Sequence, residues 1–461
     1  MVRGNRSAAS TIAVIGGGFS GLLTAVHLLR KDPGLIVRLI ERAPHFGLGR
    51  AYATGDANHL LNVRVANMSA FQDQPRHFAD WLAAAGDLAD NRAGEGAFVS
   101  RGRYGDYLQS LLRDHVGDAG NAGRLLLEQD EAVAIRRSAE GYEVRLALGR
   151  SFGAAAVVLA VGLGPPRFPA VASADVLSRR TFVGDPWGGD LSHLPDGDIL
   201  LLGAGLSMCD VALSLDRPGR RLLALSRHGL VPRTHGPAPA SEPPSGPFDT
   251  PREALRALRL HARGVGWRSA VDSIRPVTTT VWQGWSEPER RRFLRHLLPW
   301  WDAHRHRLSP ASEERLAQAV ANERLSVLAG RLEALNEAGE GFRATIRLRG
   351  RRLAVDRHYA AVVNCTGLTG DLKASPLLED LQAQGLARPD GLGLGLDVSA
   401  DGALVGADGR PVRGLHAVGP LTRGKHWEAI AVPDLRVQTA AVSRAVLAQT
   451  PRCGSAPLPT A

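Results

Sequence analysis

Residues 11–21, TIAVIGGGFSG, decide how this chain is read. Thr11 to Ile15 has the apolar run of a buried parallel strand, and Leu22 to Leu29 reads as the helix that follows. Between them lies Gly16-x-Gly18-x-x-Gly21, the dinucleotide fingerprint in the strand–turn–helix context it requires. Gly16 permits the tight turn, Gly18 lets backbone N–H groups approach a pyrophosphate, and Gly21 lets the helix pack on the strand with its positive end at the phosphates. A second strand, residues 35–40, leads to Glu41, twenty residues after Gly21. A carboxylate there accepts both ribose hydroxyls and repels a 2′-phosphate, so this site selects FAD or NAD over NADP. Thr11 to Leu29 also follows Arg3 and Arg6 without a charge of its own, as a signal sequence would, but its central glycines argue against a membrane helix.

Working outward, the pattern recurs. Residues 198–202 form another apolar strand, running into Gly203-Ala204-Gly205-Leu206-Ser207-Met208. Met208 stands where the third glycine would be, so helix and strand cannot approach as closely, although Gly203, Gly205 and Ser207 still suit a phosphate turn. The next strand ends at Arg227, 24 residues after Gly203, against 25 from Gly16 to Glu41. A cation at this position pairs with the 2′-phosphate of NADPH or stacks on adenine, whereas the plainer reading is a surface arginine. A second repeat follows each fingerprint. Gly141-Tyr142 opens an alternating strand with a turn at Gly149 and an apolar strand ending at Gly162; Gly341-Phe342, Gly350 and Gly367 repeat that order.

These repeats predict an α/β fold of two Rossmann-like dinucleotide-binding domains, the second inserted in the first. Residues 1–195 and 341–461 would form one, and 196–340 the other, carrying a proline-rich loop and a helical substrate segment at about 231–325. Near the end of the chain, a short strand (415–418), Gly419-Pro420 and a helix after Pro433 form a further nucleotide-style element. Seven prolines between Val231 and Pro251 preclude regular structure. Helices are predicted over Arg252 to Arg263, over Ser286 to Arg307 with a Ser286-x-x-Glu289 capping box, and from Ser309-Pro310. Five of the eight tryptophans (Trp267, Trp282, Trp285, Trp300 and Trp301) fall in this segment, where core packing is their expected use. His304, Arg305 and His306 are weaker candidates for recognising an anionic substrate. His304 and His306 lie about 200° apart on a helix and have no evident third ligand, so a metal site is not predicted.

The length of 461 residues implies two or three domains. The net charge of +10 is dispersed, only three of the 56 basic residues are lysine, and there is no basic block, so nucleic acid is not an expected partner. Cys209, Cys365 and Cys453 are widely spaced with no C-x-x-C, which predicts neither a disulfide framework nor a redox pair, and fits a cytoplasmic protein with no membrane span. Oligomeric state is not legible.

With these residues in view, the chain resembles a family of FAD/NAD(P)-binding proteins that includes a flavin-dependent urate hydroxylase and aspartate N-monooxygenases. The resemblance is carried by Gly47-Leu48-Gly49-Arg50-Ala51-Tyr52, by His59-Leu60-Leu61-Asn62-Val63 and Met68, and by Gly419-Pro420 through Trp427-Glu428 to Ala431-Val432-Pro433-Asp434-Leu435-Arg436. It implies FAD in the first unit, NADH or NADPH in the second, and Asn62, Glu428, Ala431 and Val432 close to the isoalloxazine. It further implies a monooxygenase that consumes NAD(P)H and O2 on a small polar substrate. Urate, converted to 5-hydroxyisourate in purine catabolism, is the leading expectation; N-hydroxylation of an amino acid or amine, or flavin reduction for another acceptor, are the alternatives.

Overall fold

The computed structural model describes residues 11–87, 93–117 and 123–450. Arg3, Arg6 and Cys453 lie outside the described residues. The first unit opens with β1 (Thr11–Ile15), α1 (Phe19–Lys31) and β2 (Ile36–Glu41), followed by α2 (Gly49–Tyr52), α3 (His77–Ala84), α4 (Arg101–Gly117) and β3 (Leu125–Gln129). A meander of β4 (Ala132–Ser138), β5 (Gly141–Leu146) and β6 (Ser151–Ala154) leads to β7 (Ala156–Leu159). Every residue of β1 is buried, as a parallel strand covered on both faces must be.

The chain then leaves this sheet. It passes through α5 (Ala174–Ser178), β8 (Phe182–Val183), β9 (Gly197–Leu202), α6 (Leu206–Leu215) and β10 (Arg220–Ser226). A helical excursion follows: α7 (Pro251–Val265), α8 (Trp267–Ser273), α9 (Thr278–Gly284), α10 (Glu287–His296), α11 (Leu298–Arg305) and α12 (Pro310–Ala321). The second unit closes with β11 (Leu325–Ala338), β12 (Gly341–Leu348), β13 (Val355–Tyr359) and β14 (Ala361–Asn364). After α13 (Pro376–Ala383), β15 (Ala403–Val405) and β16 (Pro411–Ala417) rejoin the first sheet, and α14 (Val432–Gln449) packs against α1.

The strand orders are β15-β16-β7-β1-β2-β3 and β13-β12-β11-β10-β9-β14-β8, so each fingerprint strand, β1 or β9, has the same kind of neighbours. The predicted repeat is therefore a repeat of structure. Gly16 and Gly203 both have positive φ, and a Cβ on either would strike the backbone at the end of the returning strand, 2.5 Å from the Ala160 carbonyl oxygen or 2.7 Å from that of Cys365. No side chain fits where the turn passes beneath that strand.

Three expectations need correction. Both domain boundaries are misplaced: 196 is too late, because β8 at Phe182–Val183 already pairs with β14, and 341 is too early, because β12, β13 and β14 pair within the second sheet, so the first unit resumes after Asn364. The helix expected over Ser286 to Arg307 is broken at Leu297, since Pro299 at the start of α11 has no N–H to continue the ladder. Ser286 makes no side-chain cap, and Glu289 pairs with Arg292 instead. A full capping box forms at Thr250 and Glu253, ahead of Pro251 at the first helical position. The helix expected from Ser309-Pro310 forms, with Pro310 at its first position, and the Ser309 hydroxyl accepts from the Ser312 N–H at 3.1 Å.

No helix among the described residues is long and apolar enough to cross a membrane.

Candidate functional site

At the first fingerprint, the Glu41 carboxylate accepts the Gly17 N–H at 2.7 Å and the Ala43 N–H at 2.9 Å. An ionised carboxylate offers about four acceptor positions, so two remain for a diol. Gly18 forms the N-terminal end of α1 with no side-chain cap and no acidic residue in the first turn, leaving the amides of that turn without a side-chain acceptor. A Cβ on Gly18 would meet only Gly49 Cα at 3.5 Å, an ordinary contact. A Cβ on Gly21 would lie 1.8 Å from the Gly16 carbonyl oxygen. The three glycines thus have separate duties: Gly16 and Gly21 serve packing, while Gly18 keeps a cradle open. These features fit the pyrophosphate and ribose of a dinucleotide.

The C-terminal element closes on this cradle. Gly419 follows β16 at positive φ, and its Cβ position would lie 3.0 Å from the Ser20 hydroxyl in α1. Its N–H donates to Gln438 of α14, whose amide donates to Thr422. Ala431 precedes α14 without a side-chain cap, giving a second uncapped helix end. Asn62 is reached from the proline-rich loop, where the His235 Nε2–H donates to the Asn62 carbonyl at 3.0 Å and Gly236 accepts from Arg64. Sequence reasoning missed His235, since nothing in the loop's composition shows which part of the chain it crosses.

Glu428 is buried. It accepts the Trp301 indole N–H at 3.3 Å, and its other oxygen lies 3.2 Å from the Arg305 guanidinium. Arg305 Nε, Arg423 Nε, His426 Nε2 and Arg436 Nε are buried without hydrogen-bond partners. Arg305 and Arg423 both face the Glu428 carboxylate, and orphaned donors beside it suit a ligand that carries acceptors. Burial holds the Arg305 guanidinium below its usual value, with Glu428 opposing. It also lifts the Asp302 carboxyl to about 6 despite Arg423, and lowers His306 to about 3 with the help of Arg305 and Arg423.

Of the three residues expected near a substrate, Arg305 reaches Glu428 and His306 lies 3.7 Å from Asp302. His304 points elsewhere, into a cavity of about 410 Å³. Six tryptophans line that cavity: Trp267, Trp282, Trp285, Trp300, Trp301 and Trp427. Core packing accounts for Trp282 and Trp285, which are almost wholly buried, but Trp300 is 48% exposed. No group of side chains able to hold a metal ion occurs among the described residues.

In the second unit, Gly205 is the uncapped N-terminal end of α6, and a Cβ there would meet nothing within 4 Å. Gly367 is equally open. Met208 is completely buried in the core beneath this turn, so the departure from the fingerprint is absorbed by packing and leaves the cradle clear. Ser207 lies in the first turn of α6 and is part-exposed. Arg227 stands exposed just past β10. Cys209 and Cys365, far apart in sequence, meet in one core cluster; both thiols are free and buried, and desolvation raises their pKa values.

The geometry defines a two-dinucleotide α/β protein, and comparison with known proteins agrees. Residues 13–164 match a family described as FAD-NAD(P)-binding. The fold resembles that of Kutzneria sp. 744 ornithine N-hydroxylase, solved with reduced FAD, NADP+ and L-ornithine, at TM-score 0.65 and 18% identity over 95% of this chain and 99% of that one. L-lysine 6-monooxygenase from Pseudomonas syringae is similar at TM-score 0.66 and 19% identity over 96% of this chain and all of that one. An uncharacterised Escherichia coli K12 protein, YdhS, is 23% identical over 44% of this chain; the match spans 39% of its length. The two enzymes are named for ornithine and lysine, so the expectation of urate and purine catabolism finds no support in them.

Proposed function

We propose that this protein is an FAD-dependent, NAD(P)H-consuming monooxygenase that hydroxylates an amine nitrogen. The observation that carries this reading is the pair of open cradles in one chain, with an acid at Glu41 in the first and a cation at Arg227 in the second. Gly16 to Gly18, the α1 amides and Glu41 would hold the FAD pyrophosphate and ribose. Asn62, Glu428 and the α14 end at Ala431 and Val432 would face the isoalloxazine. Gly203, Gly205, Ser207, Gly367 and Arg227 would hold NADPH, with Arg227 selecting the 2′-phosphate. When bound, reduced flavin supplies the activation of dioxygen.

The chain's own contribution is to position and to exclude water. Trp301 and Arg305 fix the Glu428 carboxylate, and the buried tryptophans beside it keep the surroundings dry. The reaction balances as R–NH2 + O2 + NADPH + H+ giving R–NHOH + H2O + NADP+. Buried, protonated Cys209 and Cys365 disfavour the alternative of a dithiol reductase, which needs an accessible thiolate. The fold likeness to the ornithine and lysine enzymes supports nitrogen over urate as the target.

The test is NADPH and O2 consumption by the FAD-loaded protein with a panel of amines, amino acids and urate, with peroxide measured alongside. One amine should accelerate NADPH oxidation with little peroxide and gain a single oxygen at nitrogen. A flavin that neither nicotinamide reduces would sink the proposal.

A further inference from the structure

The tryptophan-lined cavity is larger than core packing needs, and its volume of about 410 Å³ lies within the range of small-molecule sites. Leu255, Leu258 and Ala262 of α7 form one wall, with Arg259 from the same helix and His304 the charged or titratable groups on the lining. Helix α7 carries Arg252, Arg256, Arg259 and Arg263, all exposed. Among the described residues none of these four is in an ion pair, and the only acid of the helix, Glu253, is held in the capping box. Leu260 and Val265 of the same helix are exposed beside them, as is Trp300. An apolar cavity with one unpaired arginine, Arg259, at its edge is complementary to a molecule with an apolar body and a negative end.

We infer that this cavity binds an aromatic or aliphatic carboxylate, its body among the tryptophans and its carboxylate at Arg259. Trp301 belongs both to this lining and to the Glu428 site. The substrate class is then a carboxylate whose reacting nitrogen lies at the other end of an apolar body. A short cationic amine offers this cavity no apolar surface and would meet repulsion at Arg259. That the ligand is the substrate rests on the monooxygenase reading; that the cavity binds it does not.

The experiment is a titration of the oxidised, FAD-loaded protein, without nicotinamide, with indole-3-acetate and with neutral indole, read by calorimetry and equilibrium dialysis. Saturable one-to-one binding of indole-3-acetate is expected. Ala262→Trp, which fills the cavity from a half-exposed position, should weaken it at least tenfold. Arg259→Gln should weaken the acid about fivefold while leaving indole unchanged, the size expected of one exposed charge pair. Retained flavin and circular dichroism confirm that both variants fold. The inference is overturned if indole-3-acetate does not saturate, if Ala262→Trp binds it like the parent, or if Arg259→Gln affects both ligands alike. It is also overturned if the protein sediments with phosphatidylglycerol vesicles through these arginines while the soluble acid fails to bind. A protein that binds the acid but is not reduced by NADPH keeps this site and loses the proposed activity; the reverse result separates them the other way.

Discussion

Replacing Gly18 and Gly21 separately by alanine should uncouple cofactor binding from folding. At Gly18 the backbone, with φ −72° and ψ −167°, is open to any residue, and the new methyl would meet only Gly49 Cα at 3.5 Å. The apoprotein should therefore keep its stability within about 0.5 kcal/mol. The same methyl occupies the approach to the helix amides. Losing one or two charge-assisted hydrogen bonds to a pyrophosphate, about 1.5–3 kcal/mol each, corresponds to roughly 10- to 10,000-fold in FAD affinity. At Gly21 the methyl would fall 1.8 Å from the Gly16 carbonyl oxygen. Helix α1 must then move away from its strand by more than an ångström, at about 1–3 kcal/mol and sometimes more. The melting temperature should drop by roughly 2–12 °C, at about 2–4 °C per kcal/mol for a domain of this size. The assays are flavin content on purification, FAD titration of the apoprotein by fluorescence quenching, and thermal melting of both apo variants. A Gly18→Ala protein that binds FAD within threefold of the parent, or melts as low as Gly21→Ala, would refute the assignment of separate duties.

Further outcomes follow from other contacts. Arg227→Ala should lower the NADPH:NADH efficiency ratio about tenfold or more with NADH turnover little changed; an unchanged ratio in steady-state kinetics removes this residue from cofactor selection. Glu428→Gln retains an acceptor for Trp301 but leaves the Arg305 charge buried and unpaired, a loss of about 3–5 kcal/mol. The double variant Glu428→Gln/Arg305→Met should recover part of it in denaturant melts, and no recovery would mean that the pair is not coupled. Burial holds His27 and His416 at about 4, against 6.5 for a free imidazole. The unfolded chain therefore binds more protons between these values, so the stability they permit is complete above about pH 6.5 and declines as pH falls towards 4. His416→Leu should flatten the fall in melting temperature between pH 7 and 5; an unaltered slope would exclude His416 as a contributor.

The amino-acid sequence by itself determined both fingerprints, the duplicated strand units and the exchange of Glu41 for Arg227, because these depend on short-range rules of turn geometry and strand period. Gly16, Gly18 and Gly21 are legible in this way: Gly16 and Gly21 are required by backbone within a few residues or by one returning strand, and Gly18 by its fixed place in the fingerprint. The domain boundary was not legible, since residues 341–348 look the same whichever sheet they join, and only hydrogen bonding to β11 places them. The same holds for the proposed site around Glu428. Its partners Trp301 and Arg305 lie more than a hundred residues away, and their approach depends on how α11 leaves the break at Pro299. His235 at Asn62, the meeting of Cys209 with Cys365, and the cavity that opens among tryptophans assigned to packing belong to this second kind. Composition fixes how much apolar surface the helical excursion must bury, but whether six indoles fill their space or leave room between them is decided by helix packing in three dimensions.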